Sequence, residues 1–154
     1  MQLRERTPAD TAACVALFTA SVHQLAASHY TLQQRHAWAP LQANTAFWQS
    51  HLSGLNLLLA EDAQGLLGFI GYANDGHIDM LFCAPDAARS GIASALYAEA
   101  EIRLVAFGVT YLYTEASLLA QPFFQRQGFH SLEPEKVQRG GISLLRYRME
   151  KHLY

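Results

Sequence analysis

Asp79 stands inside an otherwise apolar run, His77-Ile78-Asp79-Met80-Leu81-Phe82-Cys83. A carboxylate at a mid-strand position of a core sheet needs a chemical or electrostatic reason to be there. It could accept a proton from an ammonium through a water molecule, or it could be held in an ion pair with an arginine. By period two it shares a face with Leu81 and Cys83. Glu115, near the end of a later strand, invites the same two readings. Tyr30 follows His29 in a break between helical segments and is either a proton donor or acceptor-binding hydroxyl, or an aromatic cap over the core. His77, beside a turn, reads as a solvated strand start. Trp38 and Trp48 either line an aromatic pocket or pack in the core, and Cys83 reads as a small buried hydrophobe unless a ligand lies beside it. The seven histidines show no ligand spacing with one another or with cysteine, so no metal site is expected.

A second feature follows directly. The strand ending at Cys83 feeds a loop of small residues, Ala84-Pro85-Asp86-Ala87-Ala88-Arg89-Ser90, which opens at Gly91 into a long helix. Such a junction points free backbone amides and the positive end of a helix dipole at one spot, which suits a phosphate. The spacing matches neither G-x-x-x-x-G-K-[ST] nor G-x-G-x-x-G, and a tight strand-to-helix turn accounts for Gly91 equally well.

These residues need elements to place them. Gln2 to Arg6 reads as a short strand. Thr7, Pro8 and Asp10 supply capping chemistry for a helix from Pro8 to about Ala26, with Cys14, Leu17, Phe18 and Val22 on one stripe. Thr31 caps a second helix through Trp38, and Asn44 a third, Thr45 to Ser53. The period then changes: Leu55 to Ala60, Leu66 to Ala73 and His77 to Cys83 form an antiparallel meander, with Asn74-Asp75-Gly76 as a hairpin turn. In the long helix, Ala93, Leu96, Tyr97, Ala100, Leu104 and Phe107 fall on a core-facing stripe, with Ser94 and Glu101 opposite. A strand from Thr110 to Ala116, a short helix from Leu119 to Arg126 and two final strands complete the chain. In the last of them Tyr147 and Met149 face inward. The order β, helices, βββ, α, β, α, ββ describes one mixed α/β domain, antiparallel first and with a βαβ crossover later.

Composition limits what such a domain does. The chain has 154 residues, with 13 Asp and Glu against 11 Lys and Arg, a formal charge of −2, and 51% apolar residues. That balance excludes a disordered chain and argues against nucleic-acid binding, which needs a basic surplus. Two distant cysteines, Cys14 and Cys83, fit no disulfide framework. There is no signal-peptide core at the start and no unbroken apolar run near the 18 or so residues of a membrane span, so a cytoplasmic location is expected.

The stretch from Asp79 to Ser94 resembles motif A of the GNAT N-acetyltransferases, whose pattern is Q/R-x-x-G-x-G/A after a strand ending near a proline. Phe123-Phe124-Gln125-Arg126-Gln127-Gly128-Phe129 resembles the end of their motif B. His29-Tyr30, Ala37-Trp38-Ala39, Ala116-Ser117 and Pro122-Phe123-Phe124 bring the chain closer still to the YafP-like bacterial branch, end to end. The resemblance implies the GNAT fold, a central mixed, mostly antiparallel sheet flanked by helices, and an acetyl-CoA site at a splayed pair of strands. Leu81, Phe82 and Cys83 would pair with the pantetheine arm, while Ala88, Arg89, Ser90, Gly91, Ile92, Ala93 and Ser94 would cradle the pyrophosphate. The implied activity is direct acetyl transfer to an amine in a ternary complex, with a small-molecule acceptor favoured by the aromatic N-terminal third, and with a monomeric or homodimeric protein.

Three positions depart from the family pattern. Ala88 stands where Gln or Arg opens the motif, Ser117 stands at a cofactor-contacting asparagine, and Phe124 replaces the tyrosine credited as acid toward the leaving thiolate. Phenylalanine donates no proton, but a thiol of pKa about 8.5 leaves tolerably without one. Proton traffic then falls to Asp79, Glu115 and Tyr30. A CoA-binding module without turnover is the alternative that Phe124 and Ser117 raise.

Overall fold

The computed structural model describes residues 1–153. Gln2–Glu5 is β1, and the chain then turns through Pro8–Asp10 into α1, Thr11–Leu25. The capping chemistry is in place: Thr7 N donates to Asp10 Oδ2 at 2.8 Å, and Arg4 grips both oxygens of Asp10 at 2.9 Å. That guanidinium holds the Asp10 carboxyl far below the usual carboxylate range. Helix α2, Leu32–Trp38, starts at a capping box in which Gln34 N donates to Thr31 Oγ1 at 3.1 Å. Helix α3, Thr45–Ser53, starts where Phe47 N donates to Asn44 Oδ1 at 3.0 Å.

Three strands follow, β2 (Asn56–Asp62), β3 (Gly65–Tyr72) and β4 (His77–Cys83). Helix α4 covers Ile92–Ala106, β5 Tyr111–Ser117, α5 Gln121–Arg126, β6 His130–Arg139 and β7 Ile142–His152. The sheet order is β1-β2-β3-β4-β5-β7-β6, antiparallel throughout except for β4 and β5, which the α4 crossover makes parallel. This is the mixed α/β architecture that the element order requires.

Both faces of the sheet are covered at its centre, so β2, β3 and most of β4 are apolar on both sides, whereas β6 at the edge is polar and mostly exposed. On one face Leu58, Ile70, Ile78 and Met149 bury against Leu96, Ala100 and Leu104 of α4. On the other, Leu57, Leu59, Phe69 and Met80 bury against Cys14, Leu17, Phe18 and Val22 of α1 and Leu52 of α3. One expectation is corrected here. Ile92, not Ala93 or Phe107, completes the inner stripe of α4; Phe107, at the helix's last turn, is 67% exposed. By length and mean hydropathy alone the helical run Pro8–Ser28 is long and apolar enough to cross a membrane, although polar residues interrupt it throughout. In the fold its apolar stripe packs on the sheet.

Candidate active site

Strands β4 and β5 pair at only two positions, His77 with Tyr113 and Ile78 with Thr114. Thr114 Oγ1 donates to Ile78 O at 2.8 Å and fastens this apex. Beyond it the strands part. Leu81, Phe82 and Cys83 remain paired with Ile70, Phe69 and Gly68 of β3, while β4 has no strand on its other edge. A cleft of about 400 Å³ occupies the fork, walled by α1–α3 on one side and by β5 and β7 on the other. An open strand edge offers backbone donors and acceptors to an extended ligand.

At the far end of β4 the loop makes its turn through two left-handed residues, Arg89 at φ 63° and Gly91 at φ 85°. Ser90 Oγ donates to Ala87 O and closes the turn from within. The first amide of α4 to reach a backbone acceptor across its start is Ala95, which donates to Gly91 O at 3.0 Å. Ile92 and Ser94 therefore present amides of a helix start without a backbone partner, while the Ala93 amide is directed at the Cys83 thiol. Ala88 is half-buried, whereas Arg89 and Ser90 are exposed. A Cβ placed on Gly91 would meet nothing within 4 Å, so the space before the helix is open. Left-handed turns beside a helix N-terminus form an anion-accepting concavity.

The other end of the cleft carries titratable groups. Asp79 is not on the face of Leu81 and Cys83, as strict alternation required. Tyr72 pairs with Ile78 but Gly71 pairs with Met80, so Asp79 is the extra residue of a β-bulge. The bulge turns its carboxylate toward α3, where Asp79 Oδ1 lies 3.1 Å from His51 Nε2. Among the described residues its ion-pair partners are the two histidines His51 and His77, not an arginine. Nor is His77 a solvated strand start: its Nε2 lies 2.9 and 3.2 Å from the two Glu115 oxygens, its Nδ1 is 4.0 Å from Asp79 Oδ2, and its ring stacks on Tyr113. His51, Asp79, His77 and Glu115 thus form a chain of alternating base and acid, brought together from α3, β4 and β5. The sequence offered no reading of His51, and its reading of His77 was the wrong one. His51 is marked only by lying one turn beyond Phe47, and His77 by lying two residues before Asp79.

The Glu115 hydrogen bond raises the His77 pKa above its ordinary 6.5, against the opposing effect of burial. The same bond lowers the Glu115 pKa below its ordinary 4.5, again against burial. A raised imidazole stabilises the fold fully below 6.5, and that contribution is lost as pH rises through the folded value. A lowered carboxyl stabilises above 4.5, and its contribution is lost as pH falls through the folded value. The pair therefore contributes most between about 4.5 and 6.5. Urea denaturation of wild type and Glu115→Gln across pH 4 to 9 should give a stability gap that is widest in that window; a gap independent of pH would refute the pairing.

The remaining residues are tightly placed. Tyr30 is 5% exposed, and burial raises its pKa. Its hydroxyl donates to Leu145 O at 2.6 Å and accepts from Leu118 N at 3.0 Å, tying the helical wall to the far limb of the fork. Ser117 Oγ accepts from Ala120 N at 3.1 Å where that limb ends. Phe124, 2% exposed, reaches the cleft while packing edge-on to Phe129 and Phe123. Trp38 and Trp48 do both things considered for them: each lines the cleft and each packs around Phe18. Burial raises the Cys83 pKa, which disfavours its thiolate. Among the described residues no three His, Cys, Asp or Glu side chains converge as metal ligands.

Comparison with known proteins agrees with this geometry. Residues 26–151 match the acetyltransferase (GNAT) domain. The uncharacterized N-acetyltransferase YafP of Escherichia coli (strain K12) is 32% identical over 149 residues, which cover 97% of this chain and 94% of that protein. The crystal structure of a GCN5-related N-acetyltransferase from Rhodopseudomonas palustris superposes with a TM-score of 0.94 at 32% identity, covering 99% of this chain and 95% of that one. The PaiA N-acetyltransferase of Thermoplasma acidophilum, solved with coenzyme A, shares the fold at a TM-score of 0.78 and 18% identity, covering 99% of each chain. A forked sheet, a helix-start loop at one end of the fork and full-length similarity together place this chain in the GNAT family of acetyltransferases, on its YafP-like bacterial branch.

Proposed function

We propose that the protein transfers an acetyl group from acetyl-CoA to the amine of a small molecule by direct attack within a ternary complex. The observation that carries this reading is the parting of β4 from β5 after two paired positions, with open amides at one end of the gap and the acid–imidazole chain at the other. Acetyl-CoA supplies an acetyl group already activated as a thioester. The open edge of Leu81, Phe82 and Cys83 suits its extended arm. The turn from Ala88 through Arg89, Ser90 and Gly91 to Ile92, Ala93 and Ser94 suits its pyrophosphate, because backbone amides bind an anion there without cationic side chains. Ser117 and Phe124 form the opposite limb.

The acceptor enters from the side of α1–α3. Trp48 and Phe47 offer apolar contact, while Asp79 and Glu115 offer negative charge to an ammonium. A cleft of about 400 Å³ suits a small molecule. Asp79 and Glu115 take part in removing the ammonium proton, which frees the nitrogen lone pair. Tyr30, whose proton is engaged with Leu145 O, steadies the wall and stands within reach of the fork.

Acetyl-CoA should raise the melting temperature, and a panel of small primary amines should include some that release free thiol from acetyl-CoA. Stabilisation without thiol release from any amine would leave a CoA-binding module instead, the outcome that Phe124 makes worth testing.

A further inference from the structure

Two imidazoles flank the fork, and they differ in one respect. Both ring nitrogens of His77 face carboxylates, Nε2 at 2.9 Å from Glu115 and Nδ1 at 4.0 Å from Asp79. His51 uses only Nε2, toward Asp79 Oδ1 at 3.1 Å, and its Nδ1 has no hydrogen-bond partner among the described residues. A carboxylate only accepts hydrogen bonds, so His51 Nε2 carries the ring proton and Nδ1 of the neutral ring keeps a lone pair. The ring lines the cleft and is about one-third exposed. Phe47 stacks on it at 5.5 Å with planes 9° apart, and Trp48 meets it edge-on at 6.4 Å.

We propose that His51 is the catalytic base of this enzyme, and that Asp79 is the positioning residue that fixes its tautomer and holds the imidazolium formed when the acceptor is deprotonated. This rests on reading the cleft as the acceptor site. It adds to that reading the atom that takes the proton.

The reasons are geometric and chemical. A base held by a carboxylate through one ring nitrogen and free at the other is the arrangement that orients a histidine for proton abstraction. Imidazole is also the side chain whose ordinary titration lies nearest neutral pH, where a general base works best. The charged surroundings are consistent. Asp79 faces His51 from β4, with His77 and Glu115 next along the chain. Arg146 stands on the opposite wall but is neutralised by Glu135 at 2.5 Å, and Arg139 lies at that wall's exposed end. From α1 the cleft is lined by the aromatic Phe18, which carries no charge. In the step itself the ammonium N–H bond breaks, its electron pair stays on the amine nitrogen, and the proton bonds to Nδ1. Asp79 then faces an imidazolium.

Two measurements test this. In the free protein, ¹⁵N chemical shifts of the imidazoles should show His51 protonated at Nε2 and unprotonated at Nδ1 in its neutral form, and Asp79→Asn should convert it to a tautomer mixture. With an amine that turns over, His51→Gln should lower kcat roughly 100-fold or more and remove the acid limb of the kcat/KM profile, with KM for acetyl-CoA unchanged. His77→Gln should keep that limb. A His51→Gln enzyme with the wild-type rate and limb would overturn the proposal, as would a His51 tautomer indifferent to Asp79→Asn. A protein that turned over no amine would instead overturn the acetyltransferase reading, while the imidazole spectra would still decide whether Asp79 orients His51.

Discussion

Replacing Gly91 by valine is expected to abolish stabilisation by acetyl-CoA while leaving the protein folded. Gly91 sits at φ 85° at the N-cap of α4, in the left-handed region that L side chains enter at a cost. For a β-branched residue that strain is about 1–3 kcal/mol, which a domain with about 5–15 kcal/mol of stability survives. Nothing protein-made lies within 4 Å of the new Cβ, so no packing clash adds to the cost. The open space is the relevant quantity. An isopropyl group there would take up open space at the start of α4, where the proposed pyrophosphate site requires close approach to the backbone. Circular dichroism should report a native fold, and thermal shift with acetyl-CoA should fall from several degrees to none. An unchanged shift would remove the phosphate assignment from this loop. Gly91→Asn, which tolerates the left-handed conformation better, should lose less.

Gly76→Ala should do the opposite and damage the fold itself. Gly76 adopts φ 104°, and a Cβ on it would stand 2.2 Å from the backbone oxygen of Tyr111 and 3.1 Å from Val109 Cγ1. Its amide donates to Ala73 O at 3.1 Å and its carbonyl accepts from Tyr113 N at 3.2 Å, so the turn is tied to β5 and cannot slide freely. Backbone strain of about 1–3 kcal/mol and overpacking of about 1–3 kcal/mol together predict a loss of roughly 2–6 kcal/mol, a large part of the total. The damage falls at the apex of the fork, beside His77. Urea denaturation should show the midpoint falling sharply, and a loss below about 1 kcal/mol would mean that the hairpin yields to the methyl group.

The contrast between these two glycines separates what one-dimensional information contains from what it lacks. Asn74-Asp75-Gly76 announces a hairpin by its chemistry, and Ser90-Gly91 announces a bend before a helix. Nothing local distinguishes a glycine pressed against a neighbouring strand from one facing open space. The caps at Thr31 and Asn44 and the span of β4 were legible because they depend on neighbours a few residues away. Asp79 shows where that legibility stops. Its type and its apolar setting marked it as a residue needing a chemical or electrostatic reason, but alternation predicts a face only while the period of two persists. One bulged residue turned the carboxylate from the α4 side to the α3 side and changed its partners.

His51 was missed and His77 misread for a related reason. Their partners lie 28 and 38 residues away, and their roles exist only because the crossover places β5 beside β4 and α3 folds over the fork. The sequence by itself determined the order and type of the elements, the family motifs and the helix-start loop, since hydrophobic period, capping and turn chemistry are short-range. Only the tertiary structure decided how far β4 and β5 stay paired, which face Asp79 presents and which imidazole keeps a free nitrogen. Those depend on strand register and on packing between distant segments, where a shift of one residue re-aims a side chain without altering the local pattern that predicts the strand.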